Sequence, residues 1–189
     1  MSAEREKAQA GDTVAEDRTG AVPQSIPALM AWALWLELDA AERYRELADA
    51  MEMHNNREVG ALFRKMETIE GKHAESIMHS MEWTSPPPRP RGEAPWPGFE
   101  APENVAHEDV HYLMQPWHAL TLALKGEERA VRFFTALANE STVPAVQAAA
   151  REMAAEEQEH VDLVRAWLAR VPPPDERWRD DPDPPRYLD

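Results

Sequence analysis

The chain contains no cysteine. Disulfides, thiolate metal sites and thiol catalysis are therefore excluded, and an iron–sulfur or rubredoxin-type centre with them. Glycine is scarce, with 7 residues in 189, and β-branched runs are few. Little is left from which to build a sheet, and the strong helix formers Ala, Leu, Glu, Arg and Met fill the middle of the chain. Long apolar runs are missing too. The longest, Ala28 to Leu36, is far too short to span a bilayer. The first 24 residues lack the apolar stretch of a secretory signal, so a cytoplasmic protein is expected. Positive charge is also in deficit: the formal net charge is −15. Such a surface repels nucleic-acid phosphates and anionic lipid heads, which argues against nucleic-acid or membrane partners, and it tolerates cations.

What is present is an all-α pattern long enough for one domain with a sizeable core. Residues 1–24 read as a disordered N-terminal arm, 25–171 as a four-helix bundle, and 172–189 as an acidic, Pro-rich tail. Ser25-Ile26-Pro27 is a helix start, with a capping hydroxyl and an early proline. The first helix is expected over about Pro27 to His54, with Leu29, Ala33, Leu36, Ala40, Tyr44, Leu47 and Met51 on its apolar stripe. Asn55-Asn56 marks a turn. The second helix is expected over about Arg57 to Trp83, the third from Pro116 to about Asn139, and the fourth from a Ser141-Thr142-Val143-Pro144 start to about Val171. Between the second and third lies a long Pro-rich connection, residues 84–106, with a short helical turn expected around His107 to Met114.

The two halves repeat. Ala33, Glu37, Ala40, Tyr44, Leu47 and Ala48 correspond in spacing to Ala123, Glu127, Ala130, Phe134, Leu137 and Ala138. Met66, Glu70, His73 and Ile77 correspond to Met153, Glu157, His160 and Val164. The repeated unit is a helical hairpin, and short loops make each pair antiparallel.

Each apolar stripe is interrupted near its middle by charge: Glu37, then Glu70 with His73, then Glu127, then Glu157 with His160. A carboxylate in an apolar interior is costly unless paired or bound to a metal. In Glu-x-x-His both side chains lie on one helical face about one turn apart. Two such pairs plus two lone Glu could hold two divalent cations with one His each. Mixed carboxylate and imidazole ligation suits iron or manganese, and zinc could also occupy it.

The set Glu37, Glu70-Gly71-Lys72-His73, Glu127, Glu157-Gln158-Glu159-His160 resembles the ferritin-like di-iron carboxylate superfamily. Its details are similar to the rubrerythrin branch: Glu37, Ala40, Tyr44 and Ala48 on the first helix, and Gly126-Glu127 on the third. The resemblance covers roughly residues 27–171. It implies a ferritin-like bundle with one long crossover and two iron ions held by Glu37, Glu70, His73, Glu127, Glu157 and His160. It also implies dioxygen or peroxide as reactant, with ferrous iron oxidised to ferric and an electron donor the sequence does not identify. Two departures accompany it. The cysteine-bearing rubredoxin domain is absent, and Ala130 stands where the third helix of the family carries a second Glu tied to peroxide reduction. The alternatives are an iron-binding or storage protein without turnover, or a structural bundle with a vestigial site.

Other residues carry plainer expectations. Glu108-x-x-His111 reads as surface, because no partner Glu helix precedes it. Glu128, Glu156 and Glu159 read as solvated flanks, and Tyr44 and Phe134 as core packing. Gly71 and Gly126 would permit close backbone approach at the site. Trp32 and Trp35 give the first helix apolar surface beyond one stripe. A homodimer interface would use it, and burial under a tail is the plainer alternative.

Overall fold

The computed structural model describes residues 22–90 and 110–180. It contains four helices: α1 Ile26–Met53, α2 Arg57–Ser80, α3 Pro116–Glu140 and α4 Pro144–Leu168. No strand occurs among the described residues. α1 packs along α2 and α3 along α4 as two hairpins, with sparser contact across α2–α3 and α1–α4. This is the four-helix bundle of two antiparallel hairpins read from the sequence. None of these helices is long and apolar enough to cross a membrane.

The helix ends follow from local chemistry. Ser25 Oγ accepts a hydrogen bond from Ala28 N–H and caps α1. α1 closes in a Schellman turn with Asn55 left-handed at φ 59°. Asn56 N–H then donates to Met51 C=O, while the Asn56 side chain caps α2 by accepting from Val59 N–H.

α2 ends at Ser80, three residues before the Trp83 expected from its stripe. A second Schellman turn stops it: Glu82 takes φ 55°, and Trp83 N–H reaches back to Met78 C=O. α4 likewise stops at Leu168 rather than Val171, in a turn ahead of Pro172. Ser141 does not cap α4 as its sequence suggests. Its N–H closes α3 on Leu137 C=O, and its hydroxyl accepts from Val143 N–H. Around residues 111–114 there is one hydrogen-bonded turn, Met114 N–H to His111 C=O, and no helix.

Two apolar clusters fill the interior. One contains Leu29, Leu34, Ile77, Phe134, Leu137, Val146 and Met153. The other contains Tyr44, Leu47, Phe63, Met66, Leu120, Leu122 and Val164. Tyr44 and Phe134 are buried in them, as packing residues should be. Between the clusters in chain order lie Glu37, Glu70, Glu127 and Glu157. Close helix approach occurs at Gly60, where a Cβ would come 3.0 Å from Glu52 Cγ. Gly71 has open space beside it, so it does not serve the close approach expected of it.

The start of the Pro-rich connection and the segment that precedes α3 both grip the first hairpin. Trp35 Nε1–H donates to Pro87 C=O at 3.0 Å, and the Arg89 guanidinium lies 4.6 Å over the Trp35 ring. Arg89 also makes a two-pronged ion pair with Asp39. Trp35 and Asp39 lie two residues either side of Glu37, which puts them on the opposite face of α1. At the other end, Asn56 Nδ2 donates to Tyr112 C=O and Met114 C=O. The chain thus leaves α2 alongside the first half of α1 and re-enters the described residues beside the end of α1. Residues 91–109, the rest of the connection among them, lie outside the described residues, as does most of the N-terminal arm. The tail, through Trp178, returns to the bundle: that ring sits 3.8 Å from the His118 ring and meets His111 edge-on.

Candidate metal centre

The helical register brings the sequence-derived residues into one layer. Glu37, Glu70, Glu127 and Glu157 are all buried, each from a different helix. Three of them join two His-containing groups. Glu127, Glu157 and His160 each offer a ligand atom, and these lie within 4.8 Å of one another. Glu70, His73 and His160 do the same. Glu37 stands outside both groups but reaches His73 Nδ1 at 3.8 Å. His160 Nδ1 lies 3.3 Å from Glu157 and 3.5 Å from Glu127. The two imidazoles stack across the bundle, with ring centroids 4.1 Å apart and planes 25° off parallel. That stack was not legible from spacing, because the crossing geometry of α2 and α4 sets it.

The electrostatics are those of a buried acidic layer. Burial pushes the Glu70 carboxyl well above its usual range, and Glu127, Glu37 and Glu157 push it further. Burial also raises Glu157, against the contrary pull of His160. His160 would be lowered by burial, yet its contacts with Glu127 and Glu157 raise it to about 10. His73 is lowered to about 4, by burial first and by His160 second. Without metal the layer is eased by the raised Glu70 carboxyl, which favours its neutral form, and by the raised His160 imidazole, which favours its cation.

Oε1 of Glu70 is buried and accepts no hydrogen bond, and buried Glu127 Oε2 has only the 3.5 Å approach of His160 Nδ1. Buried carboxyl oxygens without donors are rare and expensive. The donor set is carboxylate oxygen and imidazole nitrogen, which suits iron, manganese or zinc. The residues present thus fit a pair of divalent cations. Access is uneven: the His73 side chain is 28 % exposed and that of His160 13 %, while Glu37, Glu127 and Glu157 are nearly sealed.

The remaining sequence candidates fall elsewhere. His111 Nδ1 accepts a hydrogen bond from Leu113 N–H, which makes it a turn residue, and Glu108 lies outside the described residues. Glu128 pairs with Arg165 at 2.7 Å, and Glu156 and Glu159 are exposed. Ala130 is fully buried, so no second α3 carboxylate faces the site from that position. No further residue joins the two metal-capable groups among the described residues. Sequence reasoning missed the Trp35–Pro87 and Trp178–His118 contacts. Their one signal was tryptophan placed outside the apolar stripes.

Comparison with known proteins agrees with this geometry. A sequence model described as rubrerythrin matches residues 118–183, which carry Glu127, Glu157 and His160. No curated protein matches the chain. The chain is similar to the crystal structure of an uncharacterized conserved protein from Magnetospirillum magnetotacticum. The two share 34 % identity over 80 % of this chain and 98 % of that one, with a TM-score of 0.57. Repeat, layer and likeness agree, and the chain belongs to the rubrerythrin family of ferritin-like proteins.

Proposed function

We propose that Glu37, Glu70, His73, Glu127, Glu157 and His160 hold two iron ions, and that the protein oxidises ferrous iron with dioxygen or peroxide. The observation that carries this reading is the convergence of two Glu/His groups on one buried layer with an orphaned carboxyl oxygen. The iron pair would supply the electrons delivered to the oxidant. The chain's own residues do the rest. Protons held by the metal-free layer, those favoured on Glu70 and His160 first, leave as cations bind, which couples loading to pH. The apolar clusters on either side keep water from the layer. The half-exposed His73 edge is the side open to small reactants.

Anaerobic loading with Fe(II), followed by metal analysis and then exposure to air or peroxide, tests this. About two metals per chain are expected, with a ferric absorbance that develops after oxidant is added. Glu70→Ala and Glu157→Ala should each reduce the bound metal. Fewer than about one metal per chain, unaffected by either substitution, would sink the reading.

A further inference from the structure

Aromatic rings run in series where α1 ends and α3 begins. His54 meets Tyr112 at 5.3 Å, Tyr112 meets His111 at 4.7 Å, His111 meets Trp178 at 5.6 Å, and Trp178 meets His118 at 3.8 Å. Trp178 comes from the segment after α4 and packs on the apolar cluster of Tyr44 and Leu120. His118 precedes Glu127 by nine residues of α3, about 13 Å along the helix, so this group is separate from the metal layer.

The two histidines that carry Trp178 are held neutral by the backbone. His111 Nδ1 accepts from Leu113 N–H, and His118 Nδ1 accepts from Gln115 N–H, each at 3.1 Å. A ring nitrogen that accepts has no proton, so each neutral imidazole carries its proton on Nε2. A second proton must go to Nδ1, where it meets an N–H donor head-on. Protonation therefore breaks the turn at 111–113 and the link that caps the start of α3.

The surrounding charges do not favour imidazolium. Burial lowers the His118 pKa, against a raising pull from the Gln115 backbone, and Arg179 lowers it further. The Arg179 guanidinium already lies 4.7 Å over the Trp178 ring, so a cationic His118 on that ring would be repelled. The tail's acids, Asp175, Glu176 and Asp180, are exposed, and Asp175 accepts from Arg177 N–H. At the hairpin tip His54 stands against Tyr112, and Arg57 and Glu58 are exposed. Lys65 of α2 lies over Trp167.

We propose that residues 172–180 form an acid-released latch, in which Trp178 docks on neutral His111 and His118 and lets go when they take up protons. A released histidine titrates near 6.5 and docked His118 below it. Docking is therefore intact above 6.5 and is lost as pH falls through that interval. Release withdraws an apolar ring from the core cluster and frees the first turn of α3.

Nuclear magnetic resonance of the full chain labelled with fluorotryptophan tests the latch. Trp178→Phe assigns the Trp178 signal, and His118→Asn assigns the His118 ring. As pH falls from about 8 to about 5, the Trp178 signal should move to a solvent-exposed position together with the His118 titration. Docking and protonation are linked, so Trp178→Ala should raise the His118 midpoint by about one pH unit, equivalent to about tenfold weaker docking of the protonated form. Asn offers the backbone an acceptor that does not titrate, so the double variant His111→Asn, His118→Asn should keep Trp178 docked at low pH. A Trp178 signal that stays in place while His118 titrates, or an unmoved His118 midpoint in Trp178→Ala, would overturn the latch. So would a double variant whose Trp178 signal moves with pH as in the wild type. Should the double variant fold poorly, the Trp178→Ala titration decides alone.

Discussion

His73 and His160 stack face to face, 4.1 Å apart, although they belong to different hairpins. The two imidazoles are nonetheless shifted in opposite directions. One imidazole is pushed up to about 10 by neighbouring carboxylates, while the other, buried against it, falls to about 4.

A pH dependence follows for the metal-free protein. A group whose pKa is raised by folding favours the fold below its unfolded value and loses that contribution as pH climbs through the folded value. Glu70 and Glu157 are raised, and His160 is raised from 6.5 to about 10. His73 is lowered from 6.5 to about 4, so it penalises the fold only as pH falls through that interval. Between pH 6.5 and about 10 the site contribution therefore declines. Thermal melts in chelator should show the midpoint falling across that window. Melts with Mn(II) should show metal stabilisation growing with pH, because the ligands must first shed protons. A metal-free midpoint that rises over the window would contradict the assignment.

The strap contact on α1 should divide into a weak and a stronger part. The Arg89–Asp39 pair is largely exposed, so Asp39→Ala should cost at most about 1 kcal/mol. Trp35→Ala removes an indole hydrogen bond to Pro87 and apolar packing together, for a loss of about 1–3 kcal/mol. Urea unfolding would rank them. Limited proteolysis near residue 90 should be faster in Trp35→Ala. Equal, negligible losses would mean that the strap contributes nothing to stability.

Most of the fold was legible in the sequence because helices in a bundle announce themselves by period. The apolar stripes located α1 to α4, and a carboxylate on each stripe located the layer. What was not legible depended on tertiary geometry. The ends of α2 and α4 came early because Glu82 accepts a left-handed turn and because the chain ahead of Pro172 tightens into i→i−3 bonds, neither of which a stripe records. Ser141 was claimed by the end of α3 before it could cap α4. The six-residue site was written symmetrically in the repeat, and the structure broke the symmetry through the His73–His160 stack. Trp35 offered apolar surface that reads equally well as a dimer face or as the bed of a strap. Only the Pro87 and Arg89 contacts show that the strap uses it.

Ala130 tests what the site tolerates. It is fully buried on α3, one turn from Glu127. Ala130→Glu would add volume and a further buried carboxyl to a layer that already holds four. In the metal-free protein overpacking alone should cost about 1–3 kcal/mol, with carboxyl burial in addition. If the added carboxylate faces the metals, loading should recover much of that loss. Melts with and without Mn(II) separate the cases, and an equal loss in both would place position 130 away from the metals.

Stability and function should oppose one another at Glu70. Its carboxyl is buried, crowded by three other carboxylates, and has one oxygen without a hydrogen bond. A residue selected for stability would not be a carboxylic acid there. Glu70→Leu keeps similar volume and removes the desolvation penalty, so the metal-free fold should gain about 1–4 kcal/mol. The same change should erase much of the stabilisation that Mn(II) gives the wild-type protein. Chemical denaturation in chelator and in excess Mn(II) measures both effects. A Leu variant less stable than wild type without metal would show that Glu70 is satisfied by the protein alone. The case for a cation at that carboxylate would then fall.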